Sequence, residues 1–208
     1  MSHRCFVSFK KENSGYKNAI VKRLGELSIP VNVLDKTIQS DDIDYVIQRI
    51  RDEYMNNTTV TLFLIGSHSS ENEGVDSNGY NHQSFIIREL RATLYDKTGN
   101  PRDGLLGIVL PEMYNSVFGG RYECPHCHDI VSYVNIDPST VIKEFCENYY
   151  LHEGECGHYD ESGRFCVLVK YDDFMKEPES YIDKAYNKTK EPIAEEVHFR
   201  DISHAGKY

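Results

Sequence analysis

Short apolar runs alternate with helix-like stripes along the first half of the chain. The runs are rich in β-branched and aromatic residues and predict strands at residues 4–9, 31–34, 59–65 and 105–110. Between the runs, apolar side chains recur at helical spacing, which predicts helices at residues 14–27, 43–54 and 83–95. Parallel strands need such crossovers, so the order βαβαβαβ predicts an α/β fold with a mainly parallel sheet and helices on both faces.

The pattern weakens in the second half of the chain, after Pro111. There it predicts strands and helices in alternation at residues 132–136, 138–149, 164–171 and 178–187. We divide the chain into an α/β core at residues 1–120, an insertion or extension at 121–187 that completes the domain, and a C-terminal tail at 188–208. The tail is charged and aperiodic, and we expect it to be extended or to dock as an arm.

Composition and charge narrow the classes of partner. The chain has 208 residues, of which 39% are apolar, so it can bury the core of one domain with an appendage. Its 33 acidic and 23 basic residues give a formal net charge of -10, which disfavours unassisted binding to nucleic acid or to anionic membranes. The apolar runs are far shorter than the roughly 20 residues that cross a bilayer, and the N-terminal residues do not resemble a secretory signal. We therefore expect a cytoplasmic protein.

Cysteine and histidine residues cluster in the predicted extension. Without an export signal, the six cysteines of the chain are better interpreted as reduced thiols or metal ligands than as a disulfide framework. Cys124 and Cys127 have the spacing of one half of a tetrahedral zinc site, and Cys156 and His158 are the favoured other half. Competing ligands are Cys146, His152 and Cys166. The alternative is that all of these are ordinary reduced cysteines and surface histidines.

Ligands of open parallel sheets bind at the carboxyl ends of the strands. The chain has neither a GxGxxG fingerprint nor a GxxxxGK[ST] phosphate loop, and it lacks the paired acids of a phosphoacceptor receiver. What remains is a hydroxyl-rich rim that suits a ribose or a pyrophosphate. Its binding candidates are Ser8, Phe9, Asp35 and Ser67, although each can equally be a turn residue. The helix predicted at residues 83–95 can add the carboxylate of Glu89 to this rim.

Three segments carry a resemblance to a known family: CFVSF at residues 5–9, LFLIGS at 62–67 and SFIIREL at 84–90. They resemble TIR domains, and are most similar to bacterial TIR-like proteins of the Thoeris antiphage type. The resemblance covers residues 4–111, and VKYDDF at residues 169–174 is similar to the C-terminal part of that subfamily. In the family, a helix motif of serine, an aromatic residue and then glutamate carries the catalytic glutamate. Ser84, Phe85 and Glu89 match this motif, with Phe85 where tryptophan is commoner.

The resemblance implies a TIR-like, flavodoxin-like fold and an enzyme that consumes NAD as its substrate. Glu89 would be the catalytic residue, and Phe85 would join the nucleotide-binding residues. The product would be ADP-ribose or, more in keeping with the subfamily, a cyclic ADP-ribose-derived signal. The resemblance also implies self-association, a separate nucleotide-sensing effector and a phage-derived trigger in antiviral defence.

The chemistry of such a glutamate can be stated without the family. Breaking the nicotinamide–ribose bond leaves a cation-like ribosyl group, and a carboxylate near the sugar can orient it and stabilise the developing charge. Three alternatives remain open. Glu89 can be an ordinary solvated helix residue. The chain can be a non-catalytic TIR-like module for homotypic assembly. It can also be similar to nucleoside deoxyribosyltransferases, in which the glutamate is a covalent nucleophile.

Overall fold

The computed structural model describes residues 3–34, 38, 40, 42–74, 83–96 and 98–199. Its strands are β1 (Cys5–Ser8), β2 (Val31–Val33), β3 (Val60–Ile65), β4 (Gly104–Val109), β5 (Phe118–Glu123), β6 (Ile130–Val134) and β7 (Val167–Lys170). Its α-helices are α1 (Ser14–Glu26), α2 (Ile43–Glu53), α3 (Ser84–Leu94), α4 (Tyr114–Val117), α5 (Lys143–Tyr149), α6 (Tyr171–Lys176) and α7 (Pro178–Lys188). Short 3-10 helices occupy Lys11–Asn13, Pro111–Met113 and Pro192–Glu196. Among these described residues, no helix has the length and apolar character needed to cross a membrane.

Five strands form one parallel sheet in the order β2-β1-β3-β4-β7. The three inner strands, β1, β3 and β4, are buried along their whole length, in keeping with the near-continuous apolar runs from which they were predicted. The predicted α/β class with a parallel sheet is confirmed, and the strand order is consistent with a flavodoxin-like fold.

Helices cover both faces of the sheet, as predicted. One apolar cluster joins Leu24 of α1, Phe174 of α6 and Ile182 of α7 to the sheet. A second cluster joins Leu90 of α3 and Phe145 of α5 to the other face. Because α1 follows β1 on one face and α3 follows β3 on the other, the helices diverge on either side of the β1–β3 pair.

The second half of the chain contains a β-hairpin that is separate from the main sheet. β5 and β6 pair antiparallel with each other. The sequence pattern predicted a strand near β6 but none at β5, because Gly119 and Gly120 interrupt it and most of its side chains are exposed. The helix predicted at residues 138–149 begins only at Lys143, since Asp137 accepts a hydrogen bond from the Ser139 N–H and holds a turn before it.

The first part of the C-terminal segment docks on the core as an arm. Ile193 and Ala194 are buried in the cluster that lies under α3. Arg102, which precedes β4, donates a hydrogen bond of 2.6 Å from Nη1 to the Ala194 carbonyl oxygen. Residues 188–199 therefore match the docked form of the predicted tail, and residues 200–208 lie outside the described part of the chain.

Candidate functional site

The carboxyl ends of β1 and β3 lie where α1 and α3 leave toward opposite faces of the sheet, and we call this region the crevice. Such a topological switch point is the usual ligand site of open α/β sheets, because the loops after the two strands separate there. In the strand register, Ser8 at the end of β1 lies beside Phe63 of β3. The loop after β3 continues from Gly66, and α3 approaches both strands.

Glu89 of α3 lies at this crevice and is bonded to the end of β1. Its side chain is only 7% exposed, and the fully buried Ser8 hydroxyl donates a hydrogen bond of 2.7 Å to Glu89 Oε2. Burial raises the pKa of Glu89 from 4.5 to about 8, although the Ser8 hydrogen bond opposes part of that rise. The interpretation of Glu89 as a solvated surface charge is therefore wrong. The crevice contains a carboxyl group that can exchange a proton near neutral pH.

The packing of α3 explains why Glu89 faces inward. Ile86, Leu90 and Leu94 of α3 are buried in the core, which fixes the rotation of the helix. The Thr93 hydroxyl, one turn further along α3, donates a hydrogen bond of 3.0 Å to the Glu89 carbonyl oxygen. Arg91, two positions after Glu89, is turned toward α5, where its Nε lies 3.9 Å from Glu144 Oε1. Glu89 thus packs against the strand end.

The other predicted binding residues occupy different surroundings. Phe9 is half-buried beside the strand end, with Lys17 Nζ at 5.3 Å from its ring centroid. Ser67 is exposed on the loop after β3. Phe85 is 42% exposed, and the Arg88 guanidinium lies 5.8 Å from its ring centroid. Asp35 lies outside the described residues.

Two polar residues that sequence analysis did not select fix the loop between β3 and α3. Ser69 is 1% exposed; its hydroxyl accepts a hydrogen bond from the Gly66 N–H at 2.9 Å and donates to the Leu64 carbonyl oxygen. Gln83, which is fully buried before α3, donates from Nε2 to the His68 carbonyl oxygen at 2.8 Å. Both hold the loop in shape through local backbone bonds. Only the tertiary structure reveals them, because serine and glutamine are common in polar loops.

A third residue that the sequence analysis did not select is Asn13. Asn13 stands at the N-cap of α1, yet its side chain makes no capping hydrogen bond. It is 4% exposed, and its side-chain amide packs directly against Gly66. No sequence signal separates this arrangement from an ordinary helix cap, because asparagine is favoured at both.

Four side chains of the extension form a potential metal centre. Cys124 and Cys127 come from the turn between β5 and β6, and Cys156 and His158 come from the loop between α5 and β7. Their ligand atoms all lie within 4.8 Å of one another, and Cys127 Sγ is 3.4 Å from His158 Nε2. Four such ligands around one tetrahedral ion are about 3.5–3.8 Å apart. The cluster that the spacing favoured can therefore hold a metal ion.

The competing ligands are not part of this cluster. Cys146 and Cys166 are buried, and the Cys166 thiol donates to the Phe145 carbonyl oxygen. His152 lies on the surface, 4.0 Å from a carboxylate oxygen of Glu196. All six cysteines are free thiols, which agrees with their interpretation as reduced residues.

A cavity of about 230 Å³ lies at the opposite edge of the sheet, where β3 and β4 begin. Its walls include Thr59, Asp96, Arg102 and Tyr186. None of the residues predicted to bind or cleave a ligand lines it. We therefore place the candidate site at the crevice of Glu89, where a buried carboxyl group, the strand ends and the divergence of the helices coincide.

Two comparisons with known proteins found no match. No protein-family model matches the chain, and no curated protein matches it at a significant level of sequence similarity.

Proposed function

We propose that this chain is a TIR-like enzyme that cleaves the nicotinamide–ribose bond of NAD, with Glu89 as its catalytic residue. The observation that supports this most is the buried Glu89 carboxyl group, which is hydrogen-bonded to Ser8 at the switch point of the sheet. The resemblance of the segments around Ser8, Gly66 and Glu89 to TIR domains supplies the substrate.

The proposed reaction needs the carboxylate form of Glu89. Burial by the protein alone favours the protonated acid. The nicotinamide ring of NAD is positively charged, and a cation that displaces water beside Glu89 lowers its pKa and releases its proton. Binding of the substrate therefore generates the charge that catalysis uses.

Cleavage then proceeds by departure of nicotinamide. The bond between the ring nitrogen and C1′ of the ribose breaks, its electron pair leaves with neutral nicotinamide, and positive charge develops on the sugar. The Glu89 carboxylate stabilises this charge, because electrostatic interactions are stronger in a buried site than in water. Attack of water at C1′ gives ADP-ribose and a proton. Attack by a nucleophilic group of the same dinucleotide gives a cyclic product, and the proton that this group carries is released.

A direct test is to incubate purified protein with NAD and measure nicotinamide release at low and at high protein concentration. We expect Glu89→Gln to lose about 100-fold or more of the rate, in line with the removal of one electrostatic stabiliser. Glu112→Gln, which alters an exposed carboxylate after β4, is the matched control and should keep the rate. Intact NAD under every condition would overturn the proposal in favour of the interaction module. A ribosyl adduct trapped on Glu89 from a deoxynucleoside would favour the transferase.

We also propose that the metal of the cysteine and histidine cluster is zinc and that its role is structural. Three thiolates and one imidazole are ligands that zinc prefers, and a full set of four leaves no open position for a substrate. The ion would join the hairpin turn at Cys124 and Cys127 to the loop at Cys156 and His158, which are otherwise far apart in the chain. Antiviral defence and a nucleotide-sensing effector remain part of the proposal through the resemblance.

A further inference from the structure

Asn13 lies at the N-terminus of α1, against Gly66 at the carboxyl end of β3. Asn13 is only 4% exposed, and none of the described residues accepts a hydrogen bond from its Nδ2. An asparagine at a helix N-cap normally uses its side chain to accept a bond from the first turn, but the Asn13 side chain makes no such bond. A buried donor without a partner is rare in folded proteins, because it has lost its water and gained nothing in return.

Contact with Gly66 keeps the amide in this position. A Cβ atom at Gly66 would lie 2.5 Å from Asn13 Nδ2 and 2.8 Å from Oδ1, which is closer than real contacts. Glycine at the end of β3 therefore leaves room for the amide, and the amide fills the space that a side chain would take. The donor is therefore held beside the end of β3 by its contact with Gly66.

The surroundings of Asn13 favour an anionic acceptor. Asn13 precedes the first turn of α1, a helix of 13 residues, whose amino end carries partial positive charge and free N–H groups. Lys10 and Lys11 come just before Asn13, and both are at least partly exposed. Glu12 is the one acidic residue of this 3-10 turn, and it is exposed. The two lysines outnumber the single acidic residue, so the local charge is positive and favours a phosphate.

We propose that the Asn13 side-chain amide donates a hydrogen bond to a phosphate oxygen of the dinucleotide whose ribose lies at Glu89. This inference rests on the proposed function for the identity of the ligand. Asn13 and Glu89 stand on opposite faces of the sheet at adjacent strand ends, and Gly66 is three residues, about 10 Å, beyond the level of Ser8. An extended ligand that crosses the tips of β1 and β3 contacts both side chains.

The experiment uses ADP, which has the phosphates but no bond to cleave, and adenosine, which lacks the phosphates. Each is titrated calorimetrically into the wild type, Asn13→Asp, Asn13→Ala and Asn18→Ala; Asn18 is exposed on the same helix. A lost hydrogen bond to a charged group predicts ADP binding weaker by about tenfold or more in Asn13→Ala, and weaker still in Asn13→Asp, whose carboxylate repels phosphate. Adenosine binding and the Asn18→Ala variant should not change.

The outcomes separate this inference from the proposed function. Equal ADP affinity in the wild type and Asn13→Asp, or no binding of ADP to the wild type, would overturn the phosphate contact even if NAD is cleaved. ADP binding that depends on Asn13 in a protein that never releases nicotinamide would support the contact and refute the enzyme. Melting temperatures check folding, and we expect Asn13→Ala to melt close to the wild type without ligand, because it removes an amide that has no partner.

Discussion

The Ser8 hydroxyl at the end of β1 donates to the carboxyl group of Glu89 on α3 at 2.7 Å, across 81 positions of sequence. The bond joins a strand end to the helix that follows a different strand, so it exists only when β1 and β3 are adjacent in the sheet. It gives the buried carboxyl group one defined partner. The behaviour of this pair provides the first predictions.

Removal of the Ser8 hydroxyl should raise the pKa of Glu89 above its present value of about 8, because the hydrogen bond is what opposes the effect of burial. The variant is Ser8→Ala, and the measurement is the carboxyl titration of Glu89 by NMR. Ser69→Ala is the control, since the Ser69 hydroxyl bonds to the backbone of Gly66 and Leu64 and should leave the titration unchanged. An unaltered Glu89 titration in Ser8→Ala would contradict the assignment of this bond.

The pH dependence of catalysis follows from the same group. If NAD cleavage needs the carboxylate, kcat/KM should rise with pH until about 8, the pKa of Glu89 in the free protein. The curve for kcat should reach its plateau at lower pH, because the bound nicotinamide cation favours the carboxylate. The test covers about three pH units around that pKa, from roughly pH 6 to pH 9. A constant kcat/KM over this range would show that NAD cleavage does not require ionised Glu89.

Stability should fall as pH rises in the same window. Between pH 4.5 and about 8 the folded chain holds a proton on Glu89 that the unfolded chain has released, so each pH unit costs about 1.4 kcal/mol of unfolding free energy. Burial raises the pKa of Asp103 to about 7 and adds a slope of the same sign at lower pH. Denaturant unfolding at several pH values should therefore show a shallower decline in Glu89→Gln. Parallel curves for the two proteins would mean that Glu89 titrates normally.

The metal centre predicts a difference between two cysteine substitutions. Purified wild type should contain about one zinc per chain, and Cys127→Ser should lose it, whereas Cys146→Ser should retain it because Cys146 lies outside the cluster. Chelation should expose the turn between β5 and β6 to protease before it affects the main sheet, since the hairpin pairs only with itself. Elemental analysis that finds no zinc in a folded wild type would refute the proposal.

Substitution of Gly66 by alanine should destabilise the protein, because the added methyl group would collide with Asn13. That group would lie 2.5 Å from Asn13 Nδ2, so Gly66→Ala must displace the amide or the loop, at a cost of about 1–3 kcal/mol. Chemical denaturation measures that loss, and Gly25→Ala, where no atom lies within 4 Å of the added carbon, is the matched control. Equal stability of the two variants would show that the Asn13 side chain moves aside freely.

The sequence predicted the elements that bury a complete apolar face. β3 and β4 were recognisable because every residue of each is buried, and α3 was recognisable through the spacing of Ile86, Leu90 and Leu94. β5 was not, because its glycines and exposed side chains carry no periodic signal. Cys124 and Cys127 were also recognisable as a ligand pair, since metal-ligand spacing is a local property of the chain. Only the structure selected Cys156 and His158 as their partners over the competing ligands.

By itself, then, the sequence determined the α/β class, the parallel sheet and the Cys124 and Cys127 half of the potential metal centre, because local periodicity and spacing encode them. Only the tertiary structure decided which polar residues are enclosed. The burial of Glu89, its bond to Ser8 and the inward turn of Asn13 all depend on β1 and β3 being neighbours. Desolvation and hydrogen bonding act between groups that are close in space, and a linear pattern does not record those distances.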